Sequence, residues 1–176
     1  MHQDPFEALG LSRRFDLEAR DIRRAWRARA ADLHPDRVGA LPGGADEGEI
    51  ARRAALLNDA KRTLEDPERR ADALLVLLGG PAREDEKSLP PAFLMEVMEI
   101  REDLEDAVGA ADRERIASHE AWADTRRLAL IDEVARAFAA LADPPDGDAL
   151  RDIRVTLNAW RYIERMREQI DAPETA

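Results

Sequence analysis

The chain has 176 residues, with 27 Lys+Arg against 38 Asp+Glu for a formal net charge of −11, and it has no cysteine. That length suits one ordinary domain or two small ones, and the missing thiols exclude disulfides, thiolate metal sites and cysteine-ligated iron–sulfur clusters. No apolar run approaches the roughly 18 residues of a membrane span and no signal-peptide core is visible, so a cytoplasmic address is expected.

The charge is unevenly spread. Residues 1–70 hold 14 basic and 14 acidic side chains, so residues 71–176 carry the whole net charge. An acidic half of this kind repels nucleic acid and anionic membranes and favours a basic partner; generic solubility is its plainer reading. With 37% charged residues, 5% aromatics and few β-branched runs, the composition predicts helices throughout and an all-α fold.

In chain order, Asp4 caps a short helix over residues 5–9, Pro5 suits its first position and Gly10 ends it. A second helix is expected from Asp16 to Leu33, with Ile22, Ala25, Trp26, Ala30 and Leu33 on one apolar stripe. Arg20, Arg23, Arg24 and Arg27 form a basic strip on another face, either solvated or a docking strip for an acidic surface. Pro35 stops this helix and leaves His34 and Asp36 at a bend between two helices. The Gly- and Pro-bearing stretch 37–45 leads to a third helix, residues 46–65, with Asp46 and Glu49 spaced as a capping box and Ile50, Ala54, Leu57 and Leu64 inward. Asp66-Pro67 ends it, and a fourth helix over 68–78 turns Ala71, Leu74, Leu75 and Leu78 inward.

Gly79-Gly80-Pro81 and the polar residues after it mark a boundary, which divides the chain into residues 1–79, a linker at 80–90 and a second domain at 91–172. Three long helices follow, at about 91–110, 112–142 and 148–170, and the short turns between them make neighbours antiparallel. The middle helix is expected to bury Leu128, Ile131, Val134, Ala135, Phe138 and Leu141, and the last one Leu150, Ile153, Leu157, Trp160 and Ile170.

The first of these helices has more apolar residues than one face needs. At about 100° per residue, Phe93, Val97, Ile100, Leu104 and Val108 share a sector that reads as core, while Met95 and Met98 point the other way with Leu94 between. Glu99, Glu102, Glu105 and Asp106 continue that outer side. Methionine repacks cheaply at adaptable surfaces, and a neighbouring row of carboxylates complements a basic partner. Tyr162, off the Trp160 face of the last helix, is placed to extend such a patch.

These residues carry a family resemblance. The short helix, the basic-faced helix, the His34-Pro35-Asp36 turn and the helix ending Asn58-Asp59-Ala60-Lys61-Arg62-Thr63-Leu64-Glu65-Asp66-Pro67 look like a J-domain. The stretches Arg69-Arg70-Ala71-Asp72-Ala73-Leu74-Leu75 and Phe93-Leu94-Met95-Glu96-Val97-Met98-Glu99-Ile100-Arg101-Glu102 resemble the HscB family of iron–sulfur cluster co-chaperones, in its bacterial form. The resemblance implies a helical-hairpin J-domain followed by an antiparallel three-helix bundle, with no catalytic residue, metal or cofactor of its own. It implies a J-domain that docks on a DnaK/HscA-type chaperone and stimulates its ATPase, through His34, Pro35, Asp36, Arg20, Arg23, Arg24 and Arg27. It also implies that the second domain binds the IscU-type scaffold protein through Leu94, Met95, Met98, Glu99, Glu102, Glu105, Asp106 and Tyr162. Leu33, Asp32 and Arg29 depart from the family's usual residues, and the alternative is a scaffold-binding or self-associating module that has lost chaperone coupling.

An enzyme is the other rival. Pro35 separates His34 from Asp36, and no nucleophile or metal cluster accompanies them. Ala31 and Ile116 stand three residues before His34 and His119, so the Glu-x-x-His pattern of di-iron bundles is absent. Ala123 stands where a zinc-protease helix would need its second histidine after His119-Glu120.

Overall fold

A computed structural model describes residues 4–33 and 47–171, and every regular element among them is helical. The His34-Pro35-Asp36 turn, the 37–45 stretch and the Asp46 cap lie outside the described residues. The chain divides between Leu77 and Leu78 into two compact units.

In the first unit, α1 (Pro5–Leu9) is capped by Asp4, whose carboxylate accepts from the backbone N–H of Phe6 at 2.8 Å and of Glu7 at 3.3 Å. Gly10 closes it at φ 68°, a left-handed conformation that costs a glycine little, and its N–H returns to Glu7 and Phe6. The next helix, α2 (Ala19–Ala31), starts three residues later than Asp16 predicts, after Glu18, which offers no side-chain cap. Phe15 and Leu17 explain the delay: both are buried. Residues two apart share a side in extended chain, whereas a helix would splay them by about 200°.

Both α1 and α2 pack on α3 (Glu47–Glu65), where Leu64 and Ala60 are buried. The α2–α3 seam is polar at one edge, where the Trp26 indole N–H donates to Asn58 Oδ1 at 3.0 Å and the Lys61 ammonium lies 4.9 Å from the indole centroid. Glu49 accepts from Arg52 and Arg53 on its own helix. A fourth helix, α4 (Pro67–Leu77), buries Ala71, Leu74 and Leu75, and the buried Arg70 guanidinium donates to the Leu64 carbonyl and lies 5.2 Å from the Phe15 ring centroid.

The second unit holds α5 (Pro91–Gly109), α6 (Arg113–Ala139) and α7 (Gly147–Asp171). Ion pairs fix their directions. Glu96 pairs with Arg126 and Asp103 with Arg115, so α5 and α6 run opposite ways; Asp124 pairs with Arg167 and Arg127 with Glu164, so α6 and α7 do too. The core is Phe93, Val97 and Ala107 from α5, Ala123, Leu130 and Val134 from α6, and Leu150, Ile153, Leu157, Trp160, Ile163 and Met166 from α7.

Two expected core residues are not core. Leu128 is 63% exposed. Counting about 100° per residue, it lies about 160° from Leu130, and the inward stripe of α6 runs through His119, Ala123, Leu130 and Val134. Val108 is also exposed, and Ala107, one position back, is buried in its place near the end of α5. Residues 80–90, expected as a linker, belong to the second unit and are hydrogen-bonded along α7.

Candidate functional site

The N-terminus of α5 is set by Pro90 and Pro91, the second of which supplies a pre-formed φ at the first helical position. From there the 4-3-4-3 spacing of Phe93, Val97, Ile100, Leu104 and Ala107 keeps one seam against the bundle. Phe93 is fully enclosed: the Tyr162 ring meets it edge-on, with centroids 5.9 Å apart at 88°, and the Arg126 guanidinium lies 5.5 Å from its centroid. Edge-to-face geometry suits two aromatic quadrupoles, and a cation over the ring adds to it. The first turn of α5 is thus clamped from both α6 and α7.

That clamp leaves the opposite face open. Leu94 is 46% exposed, Met95 69% and Met98 58%. Glu99, Glu102, Glu105 and Asp106 are exposed on the turns that follow. Of these, Glu105 accepts from Arg101 at 2.9 Å, and Glu105, with a smaller contribution from the half-buried Tyr162, raises the pKa of the guanidinium above its ordinary value. Glu99, Glu102 and Asp106 make no ion pair among the described residues. The arrangement is an apolar centre of three side chains beside an acidic flank, with Tyr162 and Arg101 at the edge towards α7.

A feature of α5 that the sequence did not signal is Asp103. Its carboxylate bonds to the Arg115 guanidinium and, at 2.9 Å, to Nε2 of the buried His119. Hydrogen bonding from Arg115, with a smaller contribution from His119, holds its carboxyl below the usual range. Arg115 and His119 are four apart on α6, so both reach back to one point on α5. This cluster ties the far end of α5 to α6. Among the described residues, no group of three or more His, Asp or Glu is arranged to hold a metal ion.

In the first unit, Arg20, Arg23, Arg24 and Arg27 are exposed along α2. Arg20 pairs with Glu18 at 2.7 Å and Arg24 with Asp21 at 3.2 Å, both at the surface, while Arg23 and Arg27 have no acidic partner among the described residues. His34, Pro35 and Asp36 lie outside the described residues, so the strip's relation to them is not described.

Comparison with known proteins gives these faces a context. A family model described as the DnaJ domain matches residues 4–72, and one described as the HSCB C-terminal oligomerisation domain matches residues 89–171. The co-chaperone protein HscB homolog of Aeromonas hydrophila is 32% identical over 167 residues, covering 94% of this chain and 96% of its own length. This chain belongs to the HscB co-chaperone family. The homolog of Bordetella petrii is 33% identical over 175 residues, covering 98% of this chain and 97% of its own. Among solved structures, chaperone HscB from Vibrio cholerae superposes with a TM-score of 0.71 at 26% identity, covering 96% of both chains. Human co-chaperone protein HscB gives a TM-score of 0.74 at 25% identity, over 96% of this chain and 80% of that one. The first unit is therefore a J-domain and the second an HscB C-terminal domain. Membership in this family makes the chain a co-chaperone of iron–sulfur cluster assembly. No described helix is long and apolar enough to cross a membrane.

Proposed function

We propose that this HscB-family protein stimulates the ATPase of a DnaK/HscA-type chaperone through its J-domain (residues 1–79) and brings to it an IscU-type scaffold held on its C-terminal domain (residues 91–172), in the bacterial cytoplasm. The observation that carries this reading is the outer face of α5. Leu94, Met95 and Met98 are exposed beside Glu99, Glu102, Glu105 and Asp106, while the opposite face of the same helix is buried in the bundle. An apolar centre gives affinity by excluding water, and the carboxylates steer a basic partner to it. In this reading the chain performs no chemistry itself, and ATP hydrolysis belongs to the chaperone. His34, Pro35 and Asp36, with Arg20, Arg23, Arg24 and Arg27, form the chaperone contact, a surface of mixed sign.

The test is a reconstituted chaperone ATPase assay with and without scaffold protein. Wild type accelerates hydrolysis, and His34→Gln abolishes the stimulation while scaffold affinity and the thermal midpoint stay as they were. A bend residue is replaceable at small stability cost, whereas a docking surface concentrates its energy in few groups. Stimulation by His34→Gln equal to wild type would reduce the tripeptide to a turn. No stimulation by wild type, with scaffold binding intact, would leave a scaffold-binding module without chaperone coupling.

A further inference from the structure

Residues 81–88 are laid along α7 by one continuous stripe of that helix. Arg151, Arg154, Asn158 and Tyr162 stand at positions i, i+3, i+7 and i+11, a single helical face. The first three meet the strap. The buried Arg154 guanidinium donates through Nε to the Pro81 carbonyl at 2.9 Å. A tight turn follows, in which the Ala82 carbonyl accepts from the N–H groups of Asp85 at 3.1 Å and Glu86 at 3.2 Å. The turn brings the Glu86 carboxylate to Arg151 Nε at 2.7 Å. Asn158 then spends both amide hydrogens on the strap, donating to the carbonyls of Glu86 and Ser88 at 3.0 Å each. Tyr162, one turn on, packs edge-on against Phe93 in the first turn of α5.

The last point at which the side-chain ladder of α7 holds the strap is therefore the Ser88 carbonyl, and the next hydrogen-bonded carbonyl, that of Pro90, already accepts from the Leu94 N–H of α5. Only Leu89 separates it from Pro90 and Pro91, whose rings fix φ and allow little rotation. The short proline lever transmits the position of Ser88 to the helix that starts at Pro91. From this ladder we infer that Asn158 is a positioning residue for scaffold docking: by fixing the Glu86 and Ser88 carbonyls it sets where α5 begins and how Leu94 and Met95 are presented. The inference rests on the outer face of α5 being the scaffold site. Both accepting carbonyls lie at or near the surface, where water replaces a lost donor, so the bond contributes to register more than to stability.

The experiment uses the full chain and a purified IscU-type scaffold protein, and reads scaffold affinity, thermal midpoint and amide hydrogen exchange. Asn158→Asp keeps the side chain's shape and removes both donors; Asn158→Gln keeps the donors; Arg151→Gln loosens the strap from an exposed position. Expected for Asn158→Asp is faster exchange over residues 86–94 and a loss of about three- to ten-fold in affinity, the worth of one to two net hydrogen bonds. The midpoint stays near wild type and Asn158→Gln restores affinity. Should Asn158→Asp fold poorly, Arg151→Gln is expected to show the same faster exchange with weakened binding. Faster exchange with wild-type affinity, or unchanged exchange, overturns the positioning role. Met95→Ala with Met98→Ala separates the two failures: weakened binding there with none from Asn158→Asp refutes the strap alone. Wild-type binding by the methionine variant refutes the docking face, and the strap inference with it.

Discussion

Two helices of one bundle, α5 and α7, divide their side chains in opposite ways. On α7 the large apolar residues Leu150, Ile153, Leu157, Trp160, Ile163 and Met166 are all buried, and its polar stripe is turned to the strap. Glu164 accepts from the Trp160 indole at 2.7 Å and from Arg127 at 2.6 Å. Burial pushes its carboxyl up, but these donors together with Arg167 outweigh burial and hold it below the ordinary value. On α5 the seam of Phe93, Val97 and Ala107 is buried just as fully, yet four large apolar side chains are exposed, Val108 near its end and Leu94, Met95 and Met98 together near its start. A helix that leaves Leu94, Met95 and Met98 in water while its neighbour buries nearly everything fits the proposed scaffold contact. Scattered exposed apolar residues are ordinary; here three lie together beside carboxylates, which is the pattern of an interaction site.

The contrast is sharpest in stability. Trp160→Ala should lower the free energy of unfolding by about 3–5 kcal/mol, because it opens a cavity and strips Glu164 of a donor. Denaturant titration reads this, and a loss below about 1 kcal/mol would mean that α7 is not the anchor described. Next in size is the acidic flank. Glu99→Gln with Glu102→Gln should slow scaffold association by about three- to ten-fold at low salt and leave dissociation nearly unchanged, with the effect fading as salt rises. Stopped-flow binding at two ionic strengths reads it; a change confined to dissociation would place those carboxylates inside the contact.

The smallest effect belongs to the strap side of α7. The Ser88 hydroxyl and N–H, together with Arg151, hold the Glu86 carboxyl down from 4.5 to about 2. A depressed folded value means that the bonded carboxylate stabilises the fold fully above the unfolded value of 4.5 and loses that contribution as the pH falls towards 2. The difference in thermal midpoint between wild type and Glu86→Gln should accordingly be constant above pH 4.5 and shrink towards pH 2. A difference that does not change over that range would mean that the Ser88 and Arg151 bonds are not kept in solution.

Much of this was legible in the residues. Asp4, Pro5 and Gly10 bound α1 at its observed ends, and the two-sided periodicity of residues 93–108 separates the buried Phe93 and Val97 from the exposed Met95 and Met98. These are local signals, carried by caps and by helical phase. What escaped depends on a second element. Leu128 reads as core by type and is exposed because Leu130, Val134 and Ala123 hold the inward phase of α6. Arg70 and Arg154 are buried on the carbonyls of Leu64 and Pro81, partners that periodicity does not reveal. The pairing of Asp103 with His119 spans two helices, and the strap at 80–90 looks like a linker until Asn158 is found beside it.

The most direct test of a presenting helix is one variant measured twice. In Met95→Ala with Met98→Ala, scaffold affinity should fall about ten- to hundred-fold, as for the apolar centre of an interface. The thermal midpoint should stay within about 2 °C of wild type, since exposed side chains contribute little to folding. A midpoint that drops together with affinity would make the two methionines part of the core, and an affinity equal to wild type would put the scaffold on another surface.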